Sequence, residues 1–314
     1  MLYTRKEIAS RMAIFYSGNI MASALSGIIA AGIFKMDGTL GIAGWRWMFI
    51  IQGAASLLVA IPAFWMLPDS PLKTRWLTPE QRQLAHDRIQ MDTTGRGEDE
   101  NVSVLVGFRQ AVCDWRTWVF CLMANLHFST NGFKNFLPTV MDTFGFDTTT
   151  TLGLTCPPYI LSGIYTLAIS WSSGHFNERT FHIIGSKVAA ILGFVICVST
   201  LSVPARYVGI MIFVGSTYGV NNLTLGWASS VLGETNQKRA IVIALCNTFG
   251  NLASVYSPYL WPDSSAPRFV MAMTASVGFS VGVIVMALFL RFMLRRINKK
   301  MRDEDPSATN FYVH

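Results

Sequence analysis

Charge is the property this sequence most lacks. Only 14% of its 314 residues are Asp, Glu, Lys or Arg, against about 25% in an ordinary soluble domain. The shortage is concentrated. Residues 12–34, 48–67, 151–173, 207–231, 240–260 and 269–290 contain no charged side chain, and 117–139 and 183–203 contain one lysine each, Lys134 and Lys187. Each run matches the length, about 20 apolar residues, that a helix needs to cross a bilayer. Eight such runs leave too little polar surface to dissolve the chain, which excludes a water-soluble fold. None of the eight contains Asp or Glu. The five cysteines are odd in number and form no CxxC pair, so they read as small buried hydrophobes rather than disulfides or metal thiolates. No HExxH occurs and the five histidines are dispersed, which argues against an enzyme and implies no cofactor and no metal.

The charges that are present are mostly basic, and they are sorted. Eight spans put both termini on one side. The connections then alternate between two compartments: segments 1–11, 68–116, 174–182, 232–239 and 291 onwards hold nineteen Lys and Arg, whereas the opposite connections hold four, Lys35, Arg46, Arg206 and Arg268. By the positive-inside rule both termini are cytosolic. The net charge of +7 is therefore loop charge scattered along the chain, not a nucleic-acid surface. The chain divides into two spans (1–67), a cytosolic loop (68–116), six spans (117–290) and a basic tail (291–314). Within the loop, LTPEQRQLAHDRIQM predicts an amphipathic helix with Thr78 as N-cap, Pro79 at its first position and Gln81 completing a capping box.

Six stretches carry a resemblance. GWRWMFIIQG (44–53), LPDSP (67–71), FLPTV (136–140), CPPYI (156–160), NERTFHI (177–183) and QKRAIVIALCNTFGN (237–251) resemble the major facilitator superfamily. Within it they look like the fungal anion:cation symporter branch of allantoate, nicotinate and pantothenate permeases. Gly174, Glu178 and Arg179 match the family's Gly-x-x-x-Asp-Arg-x-x-Arg loop in type, with His182 at the final basic position. Such a loop supplies an acid–base pair able to latch helix ends in one conformation and release them in another. The resemblance implies an all-α membrane protein whose eight helices correspond to helices 5–12 of a twelve-helix fold. Its first four helices are then not in this sequence, which reads as a fragment or mispredicted gene product, or else as a genuine short form. It also implies a plasma-membrane secondary transporter of a small organic anion, a carboxylate vitamin or ureide, with a coupled cation, a proton. The alternative is a truncated membrane remnant that does not transport.

The same resemblance makes the third span a cavity-lining helix. On a continuous helix His127, Asn131, Lys134, Asn135 and Pro138 share one face. Lys134 on that face is a counter-ion for a substrate carboxylate, or else it snorkels to headgroups; Asn131 and Asn135 are too short to snorkel and favour the cavity. Fainter stripes pair Thr217, Asn221 and Thr224, with Asn222 beside them, and Asn247, Asn251 and Ser254. These suit substrate contact or interhelical hydrogen bonding equally well. Pro157 and Pro158 predict a bend in the fourth span, and Lys187, near the cytosolic end of its own span, is expected to snorkel. If a proton is coupled without a carboxylate in these spans, His127 and Lys134 are the groups available.

Overall fold

The structure is a computed structural model that describes residues 18, 21–22, 24–66, 72, 74, 77–93, 103–176 and 178–304. LPDSP, Asn177 and the end of the tail lie outside the described residues. Every regular element among the described residues is helical, and the chain forms two units, 1–101 and 102–314.

In the first unit, α1 (Ala24–Phe34) leads to α2 (Gly44–Met66). The turn between them uses Gly38 and Gly41 at φ 77° and 72°, and Asp37 accepts a 2.6 Å bond from the Gly44 amide where α2 begins. Helix α2 exposes Trp45, Phe49, Leu58, Phe64 and Trp65, and a helix apolar all round is suited to lipid. Gly27, Ala30 and Ala31 form the buried small-residue face of α1. Helix α3 (Pro79–Thr93) starts as its capping box requires: Thr78 Oγ1 accepts from the Gln81 amide, and Gln81 Oε1 from the Thr78 amide. It has no clear apolar stripe, however, since Leu84 stands exposed between polar neighbours.

The second unit opens with α4 (Val104–Cys113), which turns Gly107 and Ala111 inward and Val104, Leu105, Val106 and Phe108 outward. Then follow α5 (Trp115–Thr130), α6 (Leu137–Asp142), α7 (Thr148–Leu154), α8 (Cys156–His175), α9 (Thr180–Ser199), α10 (Val203–Thr217), α11 (Gly219–Val231), α12 (Asn236–Asn251), α13 (Ala253–Tyr256) and α14 (Val270–Glu304). Helix α9 packs on α10 and α14, α5 on α12 and α14, and α8 on α10 and α11. One apolar cluster surrounds Phe120 and Trp227; the other holds Phe133, Phe194, Phe213, Trp261 and Phe269. Helices α9 and α10 meet backbone to backbone, since a Cβ on Gly193 would lie 2.6 Å from the Gly209 carbonyl oxygen.

Six helical spans among the described residues are long and apolar enough to cross a membrane. The expected third span is not one of them. Its α-helix stops at Thr130, continues as a 3-10 turn over Asn131–Asn135 and restarts at Leu137. Two features meet at the break, one of them long-range. Gly132 sits 3.0 Å from Ser257 at its would-be Cβ, and Pro138, in the first turn of α6, cannot donate to a preceding helical carbonyl. The bend expected near Pro157 and Pro158 falls at Thr155, between α7 and α8, and the prolines occupy the first turn of α8, where no N–H partner is needed.

Candidate functional site in the interrupted helix

Asp114 starts α5 by accepting from the Arg116 amide at 3.0 Å, and it anchors a charged cluster at that end of the helix. Its carboxylate also takes Arg116 Nη2 at 2.7 Å and Lys238 Nζ at 2.8 Å, while Glu234 takes the same two cations at 3.0 and 2.9 Å. Burial pushes the Asp114 carboxyl up, but the bonds from Arg116 and Lys238 outweigh it and hold the group at about 2. The cluster ties the entry to α5 to the turn before α12, and its two acids balance its two bases.

Along α5 the buried face runs through Phe120, Met123, Ala124, His127 and Thr130. His127 is fully buried, and its Nε2 accepts from the Asn131 amide nitrogen at 3.0 Å. That bond places the ring proton on Nδ1. His127 Nδ1 and Asn131 Oδ1 are both buried without a hydrogen-bond partner. The break after Thr130 then separates the predicted stripe. His127 and Asn131 point inward, whereas Lys134 and Asn135 are exposed, so the four do not share one face. Phe133 takes the inward position in the 3-10 turn, 4.8 Å from the Phe213 ring.

The other predicted positions are dispersed around the same unit. Asn221 and Asn222 are half-buried in the first turn of α11. Thr217 closes α10 with a bond to the Phe213 carbonyl, and Thr224 Oγ1 is buried without a partner. Asn251 donates its side chain to the Asn247 carbonyl at 2.8 Å. Sequence reasoning passed over a second polar group on α5. Asn125 donates to the Phe249 carbonyl at 2.8 Å, and Tyr256 donates to Asn125 Oδ1 at 2.7 Å while lying 2.5 Å from Ser129 Oγ. The available signal was the four-residue spacing of Asn125 and Ser129 inside an apolar run.

Lys187 departs from expectation most. It does not snorkel: its side chain is 0% exposed. It occupies the packed stripe of α9, with Ile183, Ser186, Ala190 and Phe194. A lysine on the packed face has no route by which its ammonium can reach headgroups.

At the loop after α8, the predicted acid–base pair has different partners. Glu178 accepts from the Phe181 amide at 2.9 Å, from Arg291 of α14 at 2.7 Å, and lies 3.0 Å from His182 Nδ1. Arg179 instead donates to Ser173 at 3.1 Å, and Arg291 lies over the Phe181 ring at 4.1 Å. Burial raises the Glu178 carboxyl, but the Phe181 amide, His182 and Arg291 prevail and lower it below the usual range. Gly174 belongs to the last turn of α8, with open space about it, rather than to the turn itself. The Glu178–Arg291 bond therefore joins the loop between α8 and α9 to α14.

Comparison with known proteins agrees with this architecture. The sequence is 27% identical to the major facilitator-type transporter hxnP of Emericella nidulans, over 98% of this chain and 62% of that protein. It is 27% identical to the MFS-type transporter efuF of Hormonema carpetanum, over 91% of this chain and 58% of the relative. It is 28% identical to the uncharacterized transporter C11D3.18C of Schizosaccharomyces pombe, over 98% and 62%. The chain thus spans about 60% of the length of these curated relatives. The Major Facilitator Superfamily model matches residues 1–258, most of the chain, and with six membrane-length apolar helices among the described residues this multi-pass membrane protein belongs to that superfamily.

Proposed function

We propose that the chain is part of a secondary active transporter that moves a small organic anion, of the carboxylate vitamin or ureide type, together with a proton. The observation that carries this reading is the interrupted α5. It brings His127 and Asn131 into the helix core and leaves Lys134 and Asn135 exposed just beyond, with no acid in the span. An exposed cation and amide beside a helix break suit a carboxylate: the lysine supplies charge and Asn135 a directional donor. Half-buried Asn221, Asn222 and Asn247, with exposed Asn251, extend the same polar lining.

In this reading the eight apolar runs are helices five to twelve of a twelve-helix fold. Residues 1–67 belong to the first half, 68–116 link the halves, 117–290 form the second half and 291–314 the tail. The protein sits in the plasma membrane with the basic connections and both termini cytosolic, and transport proceeds by rocking of the two halves about a midplane site. Glu178 and Arg291 then form a latch at the cytosolic end. The relatives named as transporters favour this reading over a non-transporting remnant. The test is uptake of labelled nicotinate, pantothenate or allantoate by cells expressing the intact gene. Accumulation of one of them, inhibited by excess unlabelled carboxylate, is the expected result; background levels for every carboxylate tried overturn it.

A further inference from the structure

Helix α4 is 10 residues long, too short to cross a bilayer, yet much of its outer surface is apolar. It turns Gly107 and Ala111 inward, and a Cβ on Gly107 would lie 2.7 Å from Gln237 at the start of α12. Val104, Leu105 and Phe108 form the neighbouring stripe and stand 71%, 77% and 49% exposed. Arg109, also exposed, borders that stripe one turn from Leu105. Aromatic side chains mark the depth of the helix. Trp115, two residues beyond α4, lies 6.1 Å from Phe289 ring to ring, where the uncharged run of α14 ends and Arg291 begins a basic stretch. Trp118 reaches back to α4 and donates to the Val112 carbonyl at 2.8 Å. Partly exposed tryptophans at such a boundary mark the level of lipid headgroups. Helix α4 therefore lies where hydrocarbon meets water.

We infer that α4 and the basic end of α14 form a binding site for an anionic phospholipid. Its acyl chains cover Val104, Leu105 and Phe108, and its phosphate lies in the field of Arg109, Arg296 and Lys300. A cleft of about 470 Å³ joins the two helices, with Gln110 and Cys113 of α4 on one wall and Ile297 of α14 on another. Arg296 and Lys300 are exposed, precede and follow Ile297, and sit one helical turn apart. The charge around the cleft sets the sign of the headgroup. Asp114 and Glu234 line it, but each is bonded to Arg116 and Lys238, which line it too, so that cluster is neutral. The excess is basic: residues 270–302 contain six Lys and Arg and no acid, and α4 adds Arg109. Coulomb attraction draws lipid phosphate to such a stretch. The apolar stripe beside it supplies a hydrocarbon contact that a soluble phosphate has no use for. This inference goes beyond the transporter reading and needs neither its substrate nor its coupled ion.

The experiment is native mass spectrometry of the full chain, released from micelles that hold equal amounts of phosphatidylserine and phosphatidylcholine with matched acyl chains. The wild type should retain phosphatidylserine in preference to phosphatidylcholine. Each basic residue near an anionic lipid surface contributes about 5-fold in affinity. Arg109→Gln should therefore weaken phosphatidylserine retention about 5-fold, and Arg296→Gln with Lys300→Gln about 25-fold. Arg268→Gln, just before the other end of α14, should change nothing. Leu105→Ser with Phe108→Ser should weaken retention while every charge stands. Soluble glycerophosphoserine, the headgroup without acyl chains, should not displace the lipid. Melting in detergent checks that each variant is folded, and single substitutions replace a double variant that is not. Equal retention of both lipids by the wild type, or full retention by the folded charge variants, overturns the site. Retention untouched by the serine substitutions, or displacement by glycerophosphoserine, reduces it to a charged surface and overturns the role of α4. No outcome depends on uptake: a chain that accumulates no carboxylate can still hold the lipid, and a proven carrier without lipid preference refutes this inference alone.

Discussion

Replacing Asp114 by Asn probes the charged cluster at the start of α5. Asn can still accept from the Arg116 amide, so the helix cap survives. What disappears is the charge facing Lys238, whose side chain is 3% exposed and which would keep only Glu234, a residue 49% exposed. Breaking a fully buried pair costs about 3–5 kcal/mol; with one acid retained, about 1.5–3 kcal/mol is expected. At roughly 2–4 °C per kcal/mol for a unit of this size, D114N should melt roughly 3–12 °C below wild type. Thermal unfolding of the detergent-solubilised protein at pH 7 reads this directly. Asp114→Ala should lose about 1 kcal/mol more through the missing cap. Adding Lys238→Met to D114N should restore part of the loss by removing the stranded ammonium. The pH dependence has a definite sign. The carboxyl is held at about 2 in the fold, against about 4 in an unfolded chain. Its contribution, about 1–2 kcal/mol after solvent screening, is complete above pH ~4 and disappears as pH falls through ~2. D114N should flatten that part of the acid profile. Equal melting of wild type and D114N at pH 7, with no rescue by Lys238→Met, would refute the assigned electrostatics.

Further outcomes can be checked alongside. Glu178→Gln and Arg291→Gln should each destabilise by about 1–3 kcal/mol, and the double variant should cost less than their sum, as a double-mutant cycle of melting would show. Gly193→Val should cost at least about 1–3 kcal/mol from overpacking against Gly209, with Gly193→Ala smaller but of the same sign in thermal unfolding. Lys134→Gln should raise the KM for a carboxylate by about 10- to 100-fold, the loss of a charge-assisted bond, with little change in melting. Copper-phenanthroline oxidation should cross-link Cys121 of α5 to Cys246 of α12, whose sulfurs lie 3.9 Å apart, and Cys121→Ser should abolish the cross-link on mass analysis.

Much of the helical layout was legible from the sequence because apolar run length is a one-dimensional signal. The α3 capping box was legible for the same reason, Thr78 and Gln81 being three residues apart. The break in α5 was not, since it depends on Gly132 meeting Ser257, which lies far along the chain. The partner of Glu178 was likewise hidden, because Arg291 is 113 residues away and the adjacent Arg179 was the nearer guess. Lys187 was misjudged for a different reason. Its depth was clear, but a long side chain can point either way, and the packed face of α9 decided it. Ser186, Ala190 and Gly193, small residues spaced for close packing, were the available sign that Lys187 shared that face.

The Gly193–Gly209 contact limits how the second unit can move. Two backbones that touch without intervening side chains cannot slide or pivot without collision, so α9 and α10 must travel as a welded strut. Bending is thereby displaced to the joints at Thr155 and Tyr218, where the helical ladder is already cut. A carrier built on this strut would swing at those two joints and keep the lever between them stiff.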